Sequence, residues 1–290
     1  MNNDYPVKPV RIIVPLPPGG PADVIARIVG EKLAMSWGQP VVVENQTGDD
    51  TIKGTSAVAK APPDGYTLLV VPSQFSVHPR QRTDLPYDVI KDFAPVTLLA
   101  LGPNVLVVHS SVPVNTVAEL VALAKSKPQE LKWASAGGKA SASHRGAELF
   151  QKMAGIDVEF VSFPGAANAV DGVLDGTANV LLSVMAPAIP HVQAGKLRAL
   201  AGTGPRRSRV IPDVPTLKEV GFPDFEMTTW QGMLAPAGTA PEVIMKLNRD
   251  VAKILEIPEV QQKLSAIGFE LTGSTPEEFA ARIKKEVGKT

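Results

Sequence analysis

The sequence predicts an α/β protein with largely parallel sheets and enough chain for two lobes. Three observations predict it. Short runs rich in Val, Ile and Leu alternate with amphipathic segments. Several of those runs are nearly continuous in apolar residues, as strands covered on both faces are. The chain has 290 residues, long for one compact core and comfortable for two.

The expected strands, in order, are Val10–Pro15, Pro40–Asn45, Tyr66–Val71, Val105–His109, Lys132–Ala136, Glu159–Phe163, Asn179–Ser183, Leu197–Gly202 and Thr229–Ala235. Helical patterns lie between them. In Ala22–Trp37, Ile25, Ile28, Val29 and Leu33 fall on one stripe; in Ser143–Ala154, Ala147, Phe150, Met153 and Ala154 do. The 27 prolines and 24 glycines sit mostly between elements, as turn punctuation. No repeat, low-complexity tract or flexible linker is visible, so two lobes would be joined by short extended crossovers. The candidates are Leu101-Gly102-Pro103-Asn104 and the segment around Phe222–Thr229. If both cross, the helices expected near Pro241–Glu256 and Thr275–Val287 return to the first lobe. The lobes are then residues 1–102 with 225–290, and 103–224.

Composition removes several function classes. Lys+Arg and Asp+Glu both number 29, and this balance argues against nucleic acid and against a membrane surface held by charge. The chain has no Cys, which rules out disulfides, thiolate catalysis, Cys-ligated metals and a lipid-bearing Cys. No apolar stretch reaches the ~18–20 residues that span a bilayer. The start, Met1 to Pro6, is polar and lacks a signal-peptide core; a cytosolic protein and a mature exported one both fit.

Catalytic motifs are mostly absent. There is no Walker loop, Gly-x-Gly-x-x-Gly, His-Glu-x-x-His or Gly-x-Ser-x-Gly. Gly202-Thr203-Gly204 opens like a dinucleotide loop, but Pro205, Arg206 and Arg207 follow. The histidines 78, 109, 144 and 191 are scattered and form no local metal pattern.

Three strand-to-helix corners do stand out. Pro15-Leu16-Pro17-Pro18-Gly19-Gly20-Pro21-Ala22-Asp23 lets a ligand approach the main chain, and a helix start attracts negative charge. It reads equally well as a tight turn with Pro21 at the helix start and Asp23 complementing the dipole. Ser135-Ala136-Gly137-Gly138-Lys139-Ala140-Ser141-Ala142-Ser143-His144 offers hydroxyls, one Lys and small residues, which suit a carboxylate. It reads equally well as a loop ending in a Ser143 N-cap. An adjacent Ser143–His144 nucleophilic pair is disfavoured, because neighbours on a helix rarely face each other and no orienting carboxylate is evident. Phe163-Pro164-Gly165-Ala166-Ala167-Asn168-Ala169 is the third corner. Trp230 reads as core or hinge packing.

These corners, taken in order, carry a resemblance. Tyr5-Pro6-Val7-Lys8-Pro9-Val10-Arg11-Ile12-Ile13-Val14-Pro15, Gln39-Pro40-Val41-Val42-Val43-Glu44-Asn45 and Ala59-Lys60-Ala61-Pro62-Pro63-Asp64-Gly65-Tyr66-Thr67-Leu68-Leu69 belong to it. So do Asp92-Phe93-Ala94-Pro95-Val96, Ala194-Gly195-Lys196-Leu197-Arg198-Ala199-Leu200, Ala235-Pro236-Ala237-Gly238-Thr239 and Thr275-Pro276-Glu277-Glu278-Phe279. Over nearly its whole length the chain resembles the extracytoplasmic receptors of tripartite tricarboxylate transporters, the Bug family. The resemblance implies a two-lobed periplasmic binding protein (Venus-flytrap) fold, each lobe a mainly parallel sheet flanked by helices, with the ligand cleft between lobes. It implies a periplasmic, non-catalytic monomer whose signal peptide is absent from this sequence. Its partners would be a small organic carboxylate, aromatic or dicarboxylate, and the membrane subunits of the transporter. The first two corners would pinch one carboxylate, partly through ordered water.

The candidate ligand-binding set is Pro18, Gly19, Gly20, Pro21, Ala22, Asp23, Ser73, Ser135, Gly137, Gly138, Ser141, Ser143, His144, Phe163, Gly165, Ala166 and Ser183, with no catalytic residue, metal or cofactor. Some positions depart from the family's pattern. Pro21-Ala22 stand where Gly-Thr is usual, Lys139-Ala140 where Gly and Thr are typical, Phe163-Pro164 where Tyr-Lys is, and Ser183 where an Asp is common. Gln46 to Lys53 replace a glycine-rich stretch. These changes favour a less polar pocket. The competing readings are a periplasmic sensor presenting a carboxylate to a signalling partner and, further off, an ester hydrolase.

Overall fold

A computed structural model describes residues 5–128, 130–136 and 142–288. The chain runs β1 (Val10–Val14), α1 (Pro21–Trp37), β2 (Val41–Asn45), α2 (Ile52–Ala59), β3 (Thr67–Pro72), α3 (Gln74–Gln81), β4 (Phe93–His109), α4 (Val117–Ser126), β5 (Lys132–Ala136) and α5 (Ala142–Ala154). It continues through β6 (Glu159–Phe163), α6 (Ala166–Leu174), β7 (Val180–Val184), α7 (Met185–Gln193), β8 (Leu197–Gly202), β9 (Thr228–Pro236), α8 (Pro241–Leu255), α9 (Pro258–Ala266), β10 (Glu270–Leu271) and α10 (Pro276–Val287). Two compact units result. Unit 1 holds Met1–Leu101, Thr229–Leu264 and Leu271–Thr290; unit 2 holds Gly102–Thr228 and Ser265–Glu270.

In unit 1 the strand order is β2-β1-β3-β9-β4. β1 pairs in parallel with β2 and β3, and β9 lies antiparallel to β3. Period-two alternation sorts the strands' residues between two helical layers. Ile13, Leu69, Val71, Trp230 and Leu234 face Phe75 of α3 and Phe279 and Ile283 of α10. On the other face α1 lies so close that a Cβ at its Gly30 would sit 3.3 Å from Val41 and 3.7 Å from Ile12. Phe279 explains the glycine of β9: a Cβ at Gly232 would meet its ring at 2.1 Å. Trp230 is fully buried, edge-on to Phe279, and donates its indole N–H to Glu286 of α10 at 2.9 and 3.0 Å. It is a packing residue.

In unit 2 the order is β4-β7-β5-β6, with β8 also on β4. β5 is parallel to β6 and β7, while β7 and β8 run antiparallel to β4. Trp133, Val180 and Leu182 pack on Phe150 and Ala147 of α5. Ala134, Ala136 and Leu181 pack on Ala169, Val170 and Val173 of α6. The antiparallel partners of β4 temper the parallel pattern expected from alternation. β4 also begins at Phe93, not Val105, because Pro95 and the Gly102-Pro103 step do not interrupt it. Helix ends follow local chemistry. Pro21 opens α1 and Gly38, at φ 65°, closes it; Thr275 and Glu278 form a reciprocal capping box on α10.

Candidate binding edges and family

Open α/β sheets bind ligands outside the carboxyl ends of their parallel strands. Each unit has one such edge.

In unit 1 the edge carries the loop after β1, the loop after β2 and Ser73 after β3. Gly19 turns the first loop at φ +87°, a left-handed conformation that favours glycine, and Gly20 precedes α1 in extended backbone. The start of α1 has no side-chain cap. Pro21 has no N–H, and those of Ala22 and Asp23 have no intrahelical acceptor by position. Both carboxylate oxygens of buried Asp23 are turned inward. They accept from Gly19 N at 2.9 Å, Asn45 Nδ2 at 2.9 Å and Arg27 Nε at 3.0 Å, and Arg27 Nη2 lies 3.0 Å away. Asn45 also donates to the Leu16 carbonyl at 2.9 Å and accepts from Arg27 at 2.8 Å. Burial pushes the Asp23 carboxyl up, but Arg27, the Gly19 N–H and Asn45 together outweigh it and hold the group below the usual carboxylate range. The acid thus braces the loop with its charge neutralised; Gly19 and Pro21 are exposed, Gly20 is half-buried and Ala22 is buried. Gly20 has open space: a Cβ there would meet nothing nearer than the Pro17 carbonyl at 3.8 Å.

Ser73 precedes α3. Its N–H donates to the Trp230 carbonyl at 2.9 Å, and its own carbonyl accepts from Ser76 Oγ at 2.8 Å. The loop after β2 is built on side-chain contacts. Asp49, Asp50 and Thr51 all take positive φ. Asp50 accepts from Gln74 at 2.8 and 2.9 Å, and Asp49 from Arg82 at 3.0 Å. Buried His78 stands 3.6 Å from Asp50 and is held below the usual imidazole range by burial.

In unit 2 the edge carries the ends of β5, β6 and β7. Ser135 has no exposed surface, and its Oγ lies 2.8 Å from His144 Nδ1. His144 Nε2 lies 3.1 Å from Glu148 Oε1, and its ring sits 4.2 Å from that of Phe160. So His144 pairs with Ser135, nine residues back across the loop, rather than with adjacent Ser143. The order serine–imidazole–carboxylate has the connectivity of a nucleophile relay, but a hydroxyl without exposed surface has no access to an acyl group. It ties α5 to β5.

Ser143 lies inside the first turn of α5, not at its cap, and donates to the Leu182 carbonyl at 2.7 Å. Its one proton is spent there, so toward a ligand it presents lone pairs instead of the donor that the sequence suggested. Gly137, Gly138 and Ser141 lie outside the described residues, as does Lys139. Phe163 turns its ring onto α6, where a Cβ at Gly172 would meet it at 2.1 Å; this ring is part of the core more than of the edge. Gly165 and Ala166 open α6 without a side-chain cap. Ser183 lies opposite Val105 of β4, is 2% exposed, and its Oγ has no hydrogen-bond partner among the described residues.

The structure therefore gathers Pro18 to Asp23 and Ser73 on one edge. It gathers Ser135, Ser143, His144, Phe163, Gly165, Ala166 and Ser183 on the other. The unit 1 edge also carries Gln231, opposite Pro72, which the sequence reading did not single out. The available signal was a lone amide in the strand Thr228–Pro236, otherwise apolar after its two threonines.

The family model for the tripartite tricarboxylate transporter family receptor matches residues 25–290. The chain belongs to that family. Protein BugT of Bordetella pertussis is 35% identical over 285 residues, covering 98% of this chain and 87% of BugT. A solute-binding protein of the same family from Polaromonas, solved without ligand, superposes with a TM-score of 0.86 at 27% identity, covering 98% and 96% of the two chains. An R. palustris protein solved with adipate has a TM-score of 0.72 at 32% identity, covering 98% and 95%. The fold is that of the two-lobed periplasmic binding proteins, and the protein is a solute receptor of the periplasmic class, not an enzyme. No helix among the described residues is long and apolar enough to cross a membrane.

Proposed function

We propose that this receptor captures a small organic carboxylate, aromatic or dicarboxylate, and delivers it to the membrane subunits of a tripartite tricarboxylate transporter. In this reading residues 1–102 with 225–290 form one lobe and 103–224 the other, and a monomer closes on its ligand by hinge bending. The observation that carries the reading is the uncapped start of α1. Its N–H groups and dipole suit an anion, and Asp23, which would repel one, is neutralised by Arg27. Ser73 on the same edge, with Gly165, Ala166 and Ser183 on the edge of unit 2, would complete the site; Gly137, Gly138 and Ser141 would extend it. The adipate bound by the R. palustris relative supports the ligand class.

The test is a thermal-shift screen of adipate, benzoate and terephthalate against their uncharged amides. An acid at a hundred times its dissociation constant stabilises the native state by about 2.7 kcal/mol, and its amide does not. Equal shifts from acid and amide, or none from any acid, would contradict the reading.

A further inference from the structure

A buried amide at the unit 1 edge has no evident structural task. Gln231 is 5% exposed, and its Oε1 has no hydrogen-bond partner among the described residues. Buried polar atoms without partners are rare in folded proteins and call for a physical explanation such as a bound molecule. A side chain of the same length with no polar atoms, such as Met, would fill this volume without the desolvation cost.

The position of Gln231 relates it to the proposed carboxylate seat. Gln231 pairs with Pro72, the last residue of β3, and the Trp230 carbonyl before it receives the Ser73 N–H. Trp230 and Leu234 belong to the core under α3 and α10. Alternation therefore turns Gln231 to the opposite face, the face that α1 covers. The amide thus shares face and edge with the uncapped start of α1, the proposed seat of the carboxylate. An amide oxygen accepts hydrogen bonds, and an ionised carboxylate has no proton to give; a hydroxyl does.

We infer that Gln231 determines specificity: its Oε1 accepts a hydrogen bond from a hydroxyl carried by the bound carboxylate. This rests on the carboxylate reading above and narrows it to hydroxylated acids. An ordered water on Oε1 is the competing occupant, and it would serve hydroxylated and plain acids alike.

Calorimetry separates these cases with two matched pairs, benzoate with 4-hydroxybenzoate and succinate with malate. The wild type prefers the hydroxylated member of at least one pair by about tenfold or more. Gln231→Met abolishes that preference and leaves affinity for the plain acid within about threefold. Gln231→Glu keeps an acceptor and so keeps the preference, while weakening both acids through charge repulsion. Gln231→Met also melts no lower than wild type, because it removes an unpartnered buried group. Equal binding of both members by the wild type, a preference that survives Gln231→Met, or a lower melting temperature in that variant would each overturn the assignment and leave the carboxylate reading standing. Failure of the wild type to bind any acid would overturn both.

Discussion

At the unit 1 edge the decisive side chain is an acid, Asp23; at the unit 2 edge the decisive groups are hydroxyls and an imidazole. Asp23 gives its two oxygens to Arg27, Asn45 and the Gly19 N–H, so the loop is held by charge-assisted bonds. Ser135 and Ser143 spend their hydrogen bonds on His144 and the Leu182 carbonyl, so hydroxyls do the holding there. Both sets of side chains are turned inward. The contrast teaches that the side chains at each edge serve mostly to aim backbone, and that the helix start in unit 1 is left without a side-chain cap, which is where the proposed function seats the anion.

If the charged brace is the stronger one, Asp23→Asn has the larger effect on stability. Losing hydrogen bonds to a buried carboxylate costs about 2 kcal/mol, lowering the melting temperature by roughly 5 °C. The effect depends on pH. Asp23 has a depressed folded pKa, so its contribution is complete above the ordinary carboxylate value of about 3.9 and is lost as pH falls through the depressed one. Melts of wild type and variant should therefore converge in acid. A constant gap down to the lowest pH would contradict the brace.

Ser143→Ala sharpens the comparison from the hydroxyl side. It removes one bond between α5 and β7 and should cost about 1 kcal/mol. Carboxylate affinity should stay within about threefold of wild type, because the lost proton was given to Leu182. A large loss of affinity with unchanged stability would mean that the hydroxyl serves the ligand after all.

Much of the fold was legible because strands and helices here carry strong local patterns. β5, β6 and β8 have the bounds that their apolar runs suggest. β4 was harder, since Pro95, Gly102 and Pro103 read as breaks and only pairing with β7, β8 and β9 keeps the strand continuous. The two-residue β10 has too little sequence to carry a period. At the site, the glycine corner before α1 was legible because backbone requirements write themselves into residue type. The pairing of Ser135 with His144 was not, because it depends on how a loop returns a helix to a strand. Phe163 read as a pocket residue because a sequence does not say which way a strand's last ring turns; the space left by Gly172 decides it.

The central claim is that a carboxylate sits on the uncapped start of α1, and Gly20→Leu tests it most directly. Gly20 has φ −76° and ψ 168°, ordinary for any residue, and open space at its Cβ, so the substitution strains nothing in the loop. Calorimetry on the variant should show every carboxylate ligand weakened by about a hundredfold, with a melting temperature close to that of wild type. A Gly20→Leu protein that binds the same acids with wild-type affinity would show that this loop is only a turn.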